Sequence, residues 1–448
     1  MTAPAPARVV AARVLERVLT EGAFADLALE AELSRRRLGP RDAALATELV
    51  YGTLRWQRYL DWILAPHSRR RLEALEPRVL AILRMTAYQL AFLDRVPAFA
   101  AVNDAVTLAG RRAKPGAGAF VNAVLRSFTG RDPREREPRL PADPVEALAV
   151  RNAFPTWLAA RWAARWGAGE AEALMRAMNE RAPLTLRANT RRTTREALAA
   201  RLAAEHGVKT RPATYAPEGL VVVDPAGAPS AWRPFTEGHC VVQDEASMLV
   251  ARLLEPAPGE TVADVCAAPG TKTTHLAQLM DDRGRVLAFD PQPARLGLVR
   301  EAAARLGLTI VRTLDGPVEA LAPRFPAACD AVLVDAPCSN LGVLRRNPEV
   351  KWRRRPADLP AAAERQRAIL AAAARMVKPG GRLVYATCSL EPEENEEVAR
   401  DFLAAHGDFE VAPPATFPLP LEPEGRLRCL PHRHGTDGFT AVRFRRGG

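Results

Sequence analysis

Asp330-Ala-Val-Leu-Val-Asp335-Ala-Pro-Cys338-Ser-Asn340 is the stretch on which the reading of this chain turns. Its first half is apolar and rich in β-branched residues, the pattern of a buried strand. Its second half is polar and reactive. Leu383-Val-Tyr-Ala-Thr-Cys388-Ser389 repeats the arrangement and ends on a second cysteine. Ligands of open α/β sheets bind beyond the carboxyl ends of strands. Asp335, Cys338 and Cys388 are therefore expected to meet in one crevice. Taken singly, each cysteine reads equally well as a core residue and the aspartate as a helix cap. The series of strands around them separates the two readings.

From about residue 241 strands and helices alternate. Residues 261–266 read as a strand, Ala267-Ala268-Pro269-Gly270-Thr271-Lys272 as a tight loop, and a helix runs on to Met280. A second strand covers 285–290, a third 308–314 with Asp315 at its end, and the Asp335 strand is the fourth. A helix over 361–377 leads through Lys378-Pro-Gly-Gly381 to the Cys388 strand, then come a helix over 393–405 and a closing strand over 440–445. This alternation predicts a Rossmann-like α/β domain with a mostly parallel, doubly wound sheet. The 266–272 loop is not a Walker A loop, because Thr271 rather than Gly precedes Lys272, and it lacks Gly-x-Gly-x-x-Gly. Asp290 stands where an acid can accept both ribose hydroxyls, and Asp315 where one can reach an adenine amino group. Such a loop followed by acids suits an adenosine ligand with a positive centre, and S-adenosyl-L-methionine fits.

Upstream the pattern differs. Residues 8–128 read as helices, with Val10, Val14 and Val18 at helical spacing beside Leu15 and Leu19. Domain 1–130 is thus expected to be an all-helical bundle, with Met1 to Ala7 as a loose arm. Residues 131–143 are charged and Pro-rich and read as a linker. Residues 144–240 read as a small α+β segment, the N-terminal part of a catalytic module completed by 241–448. Thr194 is expected to cap a helix reaching His206. The net charge is +11, and residues 1–143 hold 23 Lys and Arg against 16 Asp and Glu, seven of those eleven excess charges. A polyanion is the expected partner, with Arg35-Arg-Arg37 and Arg69-Arg-Arg71 lining the surface. No run spans a membrane and no leader peptide is read, so a cytoplasmic chain, acting as a monomer, is expected. The six cysteines lie apart without a Cys-x-x-Cys pair, which argues against a metal site. His432 and His434 read as solvated surface.

Asp264-Val-Cys-Ala-Ala-Pro-Gly270, Asp335-Ala-Pro-Cys-Ser339 and Thr387-Cys-Ser-Leu390 resemble the signatures of Sun-type RNA cytosine-C5 methyltransferases. Gln243-Asp-Glu-Ala-Ser247, the stretch from Gly342 to Trp352, Glu393-Glu-Asn-Glu396 and Gly435-Thr-Asp-Gly-Phe439 support the likeness. Glu48-Leu-Val-Tyr-Gly-Thr-Leu-Arg55, Tyr88-Gln-Leu90, Ala101-Val-Asn103 and Phe120-Val-Asn-Ala-Val-Leu-Arg126 resemble the NusB-like domain of the bacterial 16S rRNA enzymes of this family, the RsmB type. The resemblance covers nearly the whole chain. It implies methylation of an unpaired cytidine of 16S rRNA at carbon 5, with Cys388 as nucleophile, Cys338 assisting product release and Asp335 bonding the base. It implies S-adenosyl-L-methionine at Cys266, Ala267, Ala268, Pro269, Gly270, Thr271, Lys272, Asp290, Asp315 and Asp335. The family usually has a second Gly where Thr271 stands. Arg345, Arg346, Lys351 and Arg353 to Arg355 follow the Cys338 loop and are expected to grip phosphates. The Cys266 thiol itself, with Cys240, Cys329 and Cys429, reads as core packing.

Two other readings compete. A DNA cytosine methyltransferase would use the Pro-Cys thiol, Cys338, as nucleophile, and the additional Cys388 argues against it. A non-catalytic RNA-binding or antitermination factor would need only the helical bundle, and the intact Asp335, Cys338 and Cys388 argue against that.

Overall fold

The computed structural model describes residues 4–112, 114–130, 139–224 and 227–448. The chain divides into two compact units, Met1–Glu180 with Leu344–Arg353, and Arg181–Val343 with Arg354–Gly448.

The first unit is helical. Helices run over Pro6–Thr20, Ala25–Arg36, Pro40–Arg55, Gln57–Leu64, Pro77–Phe92, Ala98–Arg112 and Ala117–Thr129, followed by Pro144–Arg151, Thr156–Trp166 and Ala168–Met178. Several open on proline, whose missing N–H costs nothing in the first turn and whose fixed φ suits it. Val10, Val14, Leu15, Leu49, Leu54, Ile82, Leu83 and Leu125 share one apolar core. Two of its buried arginines are paired: Arg8 donates to Gln89 (2.7 Å) and Asp104 (2.8 Å), and Arg84 holds Asp61 with two bonds of 2.7 Å. Gly52 is needed because a Cβ there would lie 2.0 Å from the Tyr88 ring, whose hydroxyl donates to Glu48. The loose arm is corrected in part. Residues 1–3 lie outside the described residues, but the first helix starts at Pro6, Ala7 is buried, and the Ala5 N–H donates to Asp104 (3.1 Å). Residues 131–138 of the expected linker also lie outside them.

Leu344–Arg353 belongs to this unit, and its contacts correct the phosphate-gripping expectation for Lys351 and Arg345. Both are buried. Lys351 Nζ donates to the Arg55 carbonyl (2.7 Å) and Asn179 Oδ1 (3.0 Å), and Trp352 Nε1 donates to the Leu54 carbonyl (2.6 Å). The carbonyls of the last turn of a helix have no partner within it, and these two side chains supply donors to the end of Pro40–Arg55.

The second unit holds two sheets. β1 (Leu184–Ala188), β2 (Lys209–Pro212), β3 (Gly219–Asp224) and β4 (Cys240–Val242) form an antiparallel sheet in the order β2-β3-β1-β4. The helix Arg195–His206 accompanies it, and the Thr194 hydroxyl caps that helix by accepting the Ala197 N–H (3.1 Å). The larger sheet contains β5 (Thr261–Asp264), β6 (Arg285–Asp290), β7 (Val311–Asp315), β8 (Cys329–Asp335), β9 (Val377–Thr387), β10 (Phe409–Val411), β11 (Arg426–Cys429) and β12 (Phe439–Arg446). Its order is β10-β12-β9-β8-β5-β6-β7, with β11 paired to β12. β5 to β9 run parallel, and β12 is antiparallel to β9, β10 and β11. The expected mostly parallel, doubly wound sheet is present. The order reverses at β5 and β8, so Asp264 and Asp335 end the two strands at the switch point where such sheets bind ligands.

Some boundaries differ from the sequence reading. Lys378-Pro-Gly-Gly381 is strand rather than loop: β9 starts at Val377, its register against β8 slips between Cys329 and Ala331, and Lys378 pairs with Asp330 (2.6 Å). The helix before it is Asp358–Ala374, and the one after the Cys388 strand starts only at Glu396. His434 is partly covered and accepts the Leu430 N–H (2.9 Å), so it is not simply solvated. Among the described residues no helix is long and apolar enough to cross a membrane.

Candidate active site

β8 and β9 are parallel neighbours with Asp335 opposite Ala386, so the loops leaving their ends emerge side by side. Cys338 and Cys388 face each other with their Sγ atoms 3.1 Å apart. Asn340, at a φ of 62° that asparagine tolerates, turns its side chain back to both thiols. Its Oδ1 accepts from Cys388 at 3.0 Å and from Cys338 at 3.4 Å. The loop is then pinned by backbone: Gly342 N–H donates to the Cys388 carbonyl (2.8 Å) and Gly438 N–H to the Gly342 carbonyl (2.8 Å). A Cβ on Gly342 would stand 2.2 Å from the Gly438 oxygen, so only glycine fits. The hydrogen bond with Cys388, then burial, push the Cys338 thiol well above its ordinary value.

Asp335, at the end of β8, receives Lys272 Nζ at 2.7 Å. Lys272 is the second residue of the helix Thr271–Leu279, and its ammonium also lies 4.9 Å from the centre of the Phe439 ring. Burial opposes its charge, but Asp335, Cys388 and Asp264 favour it, and Lys272 is held above its ordinary value. The expected cofactor contact of Lys272 is in this structure an ion pair to the catalytic candidate Asp335.

The remaining acids line the same sheet edge. Asp264 ends β5 and is buried. Thr273 Oγ1 donates to its Oδ2 (2.7 Å) and the Cys266 amide lies close, yet Oδ1 makes no hydrogen bond among the described residues. Burial, reinforced by the nearby Asp335, pushes Asp264 up to about 7. Asp290, also buried, ends β6, accepts the Gln292 N–H (2.9 Å) and lies 3.3 Å from Arg295. Asp315 stands opposite it at the end of β7 and is exposed. The loop from Cys266 to Gly270 leaves β5 alongside β6, and its Ala267 N–H donates to the Phe289 carbonyl (2.9 Å). Gly270 has φ 103°, and a Cβ on it would meet Val299 Cα at 3.0 Å. Thr271 follows as the first residue of the helix. These residues fit S-adenosyl-L-methionine: an orphaned buried carboxylate oxygen suits a cationic ligand, and Asp290 and Asp315 suit hydroxyl and amino donors.

Sequence reasoning missed several side chains that hold this arrangement. Arg187 of β1 is buried and donates to the Thr271 carbonyl (2.7 Å), Thr274 Oγ1 (3.0 Å), Gln278 Oε1 (3.2 Å) and Gln243, fixing the start of the loop's helix. Burial lowers its guanidinium to about 9. Asp264, Asn340 and Glu394 stand within the quoted motifs but were given no role of their own, although a charged residue at a strand end was a readable signal for Asp264. Cys240 and Cys329 are buried in the core, with thiols raised to about 12 by burial, and Cys429 is buried too. Cys266 is partly covered, and burial, then the charge of Asp264, raise its thiol well above the ordinary value.

Comparison with known proteins agrees along the whole chain. The NusB family matches residues 5–130, a ferredoxin-like domain of RsmF/B-like methyltransferases matches 154–228, and the family described as 16S rRNA methyltransferase RsmB/F matches 251–445. The probable ribosomal RNA small subunit methyltransferase B of Bacillus subtilis (strain 168) is 37% identical over 98% of this chain and 99% of its own. The ribosomal RNA small subunit methyltransferase B of Pseudomonas putida is 38% identical over 96% of each. Among solved structures, PH0851 superposes with a TM-score of 0.84 at 30% identity and 99% coverage of both chains. NSun6 from Pyrococcus horikoshii, crystallised with SFG, covers 66% of this chain and 99% of its own with a TM-score of 0.60 at 26% identity. With its helical unit, its sheet and its sequence all matching, the chain belongs to the RsmB/F family of 16S rRNA methyltransferases.

Proposed function

We propose that this protein methylates carbon 5 of an unpaired cytidine in 16S rRNA, using S-adenosyl-L-methionine and a covalent cysteine–cytosine adduct. The observation that carries this reading is the thiol pair at 3.1 Å beside the Lys272–Asp335 ion pair. Carbon 5 of cytosine is a poor nucleophile, and a thiolate adding at carbon 6 turns the ring into an enamine. Bound S-adenosyl-L-methionine supplies the electrophilic methyl. Cys388 takes the nucleophile's role, as the family resemblance implies, at the end of the strand beside the one that carries Asp335. Cys338, its thiol pushed up, suits the protonated partner that assists elimination. Asp335 bonds the base at its N3 side. The cofactor is held by the 266–272 loop with Asp264, Asp290 and Asp315. Base access requires an unpaired or extruded nucleotide. The exposed Arg35, Arg37 and Arg69 to Arg71 of the helical unit suit RNA phosphates.

The test is which variant traps RNA. Cys388→Ala is expected to lower methyl transfer by about 10⁴-fold or more, as loss of a nucleophile does, and to form no covalent complex. Cys338→Ala is expected to attack and methylate but release slowly, so a protein–RNA adduct accumulates through denaturing electrophoresis. The reverse pattern would make Cys338 the nucleophile.

A further inference from the structure

Glu394 closes the short turn Pro392–Glu394 after β9 and is fully buried, at 0% exposure. Its Oε2 accepts the Ser339 N–H (2.8 Å) and Gln366 Nε2 (2.9 Å). Its Oε1 accepts the Ser389 hydroxyl (2.5 Å) and, still closer, the Ser339 hydroxyl. Ser339 follows Cys338 and Ser389 follows Cys388. One carboxylate therefore grips the residue after each thiol. The two hydroxyls themselves lie 3.0 Å apart. The clamp is braced from behind: Gln366 Nε2 also donates to the Pro337 carbonyl (3.0 Å), the Tyr385 hydroxyl donates to the Glu394 carbonyl (2.6 Å), and Arg354 Nε donates to the Ser339 carbonyl (2.9 Å). No basic side chain among the described residues pairs with the carboxylate.

A buried carboxylate held only by neutral donors is an expensive way to tie two loops together. What it offers is acceptance without donation, at two oxygens, from several donors at once. Those donors come from both thiol-bearing loops and from the helix Asp358–Ala374 that braces them. We propose that Glu394 is a positioning residue that sets the separation and direction of Cys338 and Cys388 by clamping Ser339 and Ser389. This rests on the reading of the two thiols as the catalytic pair. The sulfurs must face adjacent carbons of one ring, so a small shift of either loop misaligns attack or elimination. Cofactor residues do not touch Glu394, and cofactor affinity is left alone by the clamp.

The test compares Glu394→Ala and Glu394→Gln in the full chain. Turnover is measured on transcribed 16S rRNA, cofactor binding by calorimetry, and thiol geometry by capture with phenylarsine oxide, which bridges two thiols only when they are close. Gln keeps the clamp, because its oxygen can accept the two N–H donors while its amide donates to hydroxyls turned round as acceptors. Glu394→Ala is expected to lower kcat about 100-fold, the scale of a misplacement of about 1 Å. KM and cofactor affinity should stay within about threefold, arsenical capture should slow about tenfold, and Glu394→Gln should restore kcat and capture to within about fivefold of wild type. An unchanged kcat, a loss confined to KM, unchanged capture, or a Gln variant as poor as Ala would each overturn the proposal. Should Glu394→Ala fail to fold, the double variant Ser339→Ala/Ser389→Ala removes both hydroxyl contacts. It is expected to lose about tenfold in kcat, and a loss under about twofold would overturn the proposal. Cys388→Ala separates the two readings. If it still transfers methyl, the thiol assignment falls and takes the clamp's purpose with it; if it is dead while Glu394→Ala is active, only the clamp falls.

Discussion

Lys272 and Lys351 are both buried, one in each unit, and the protein treats them in opposite ways. Lys272 has Asp335 at 2.7 Å and stays above its ordinary value against the pull of burial. Lys351 has a carbonyl, an amide oxygen and the Phe154 ring at 4.2 Å, and burial, then the charge of Arg55, push it well below. Both are buried and the side chain is the same. The counter-charge decides, because a buried charge without a partner is neutralised rather than kept. Lys351 is pushed toward its neutral form and serves as a long donor closing a helix end. Lys272 is held above its ordinary value by Asp335, Cys388 and Asp264, where chemistry can use its charge.

The sharpest way to break this comparison is Lys272→Met. It removes the cation facing Cys388 and leaves Asp335 alone. Methyl transfer is expected to fall about 10³-fold, the upper range for losing one preorganised electrostatic group. Stability is expected to fall by up to about 3 kcal/mol, the low end for breaking a buried pair, because the Asp335 side chain is 26% exposed. Single-turnover kinetics and denaturant unfolding measure both, and near-normal turnover would strip Lys272 of its special status. A middle-sized effect asks the same question of a carboxylate. Asp264 sits near 7, raised by burial first and then Asp335. A cationic ligand binds its deprotonated form, so binding below that value must expel a proton. Cofactor affinity is expected to fall about tenfold per pH unit below about 7 and to level off above it. Calorimetry across that range reads it, and Asp264→Asn should flatten the profile. A flat wild-type profile would mean that Asp264 does not face the ligand.

The smallest effect is Lys351→Met, expected to change stability by about 1 kcal/mol or less at neutral pH and to leave the chemical step intact. Its pH signature is opposite to that of Lys272. The unfolded chain holds its proton up to the ordinary 10.5, while folded Lys351 has already lost it. Between those values the unfolded state binds more protons, so stability rises with pH, and Lys351→Met should flatten that rise. Lys272 stays protonated beyond 10.5 when folded, so its contribution is complete below that value and is lost as pH climbs through the folded one. Unfolding followed against pH in both variants should give differences of opposite sign.

The same physics explains what the sequence disclosed. Strands buried on both faces of a parallel sheet read as continuous apolar runs, so 285–290 coincides with β6 and the Asp330–Asp335 run lies within β8. β2, β4, β10 and β11 are three or four residues long, too short for a period to show. The thiols were legible because each closes an apolar run. Glu394 and Arg187 were not, because each works across separations such as Ser339 to Glu394 or Arg187 to Thr271 that only the fold closes. Lys351, within the basic run from Arg345 to Arg355, misled for a related reason. A cluster of positive residues has the same composition whether water or a helix end receives its donors.

Leu344–Arg353 lies between two stretches of the second unit in sequence and within the first unit in space. A single cut in the chain therefore cannot separate the residues of one unit from those of the other. A gene fragment starting at Arg181 would carry those ten residues with no helix to receive them, leaving Val350 and Trp352 bare to solvent and Lys351 free to charge. A fragment stopping at Glu180 would lack the donors that close the helix at Leu54 and Arg55. For protein engineers, a cut between Glu180 and Arg181 parts Leu344–Arg353 from the helices that hold it.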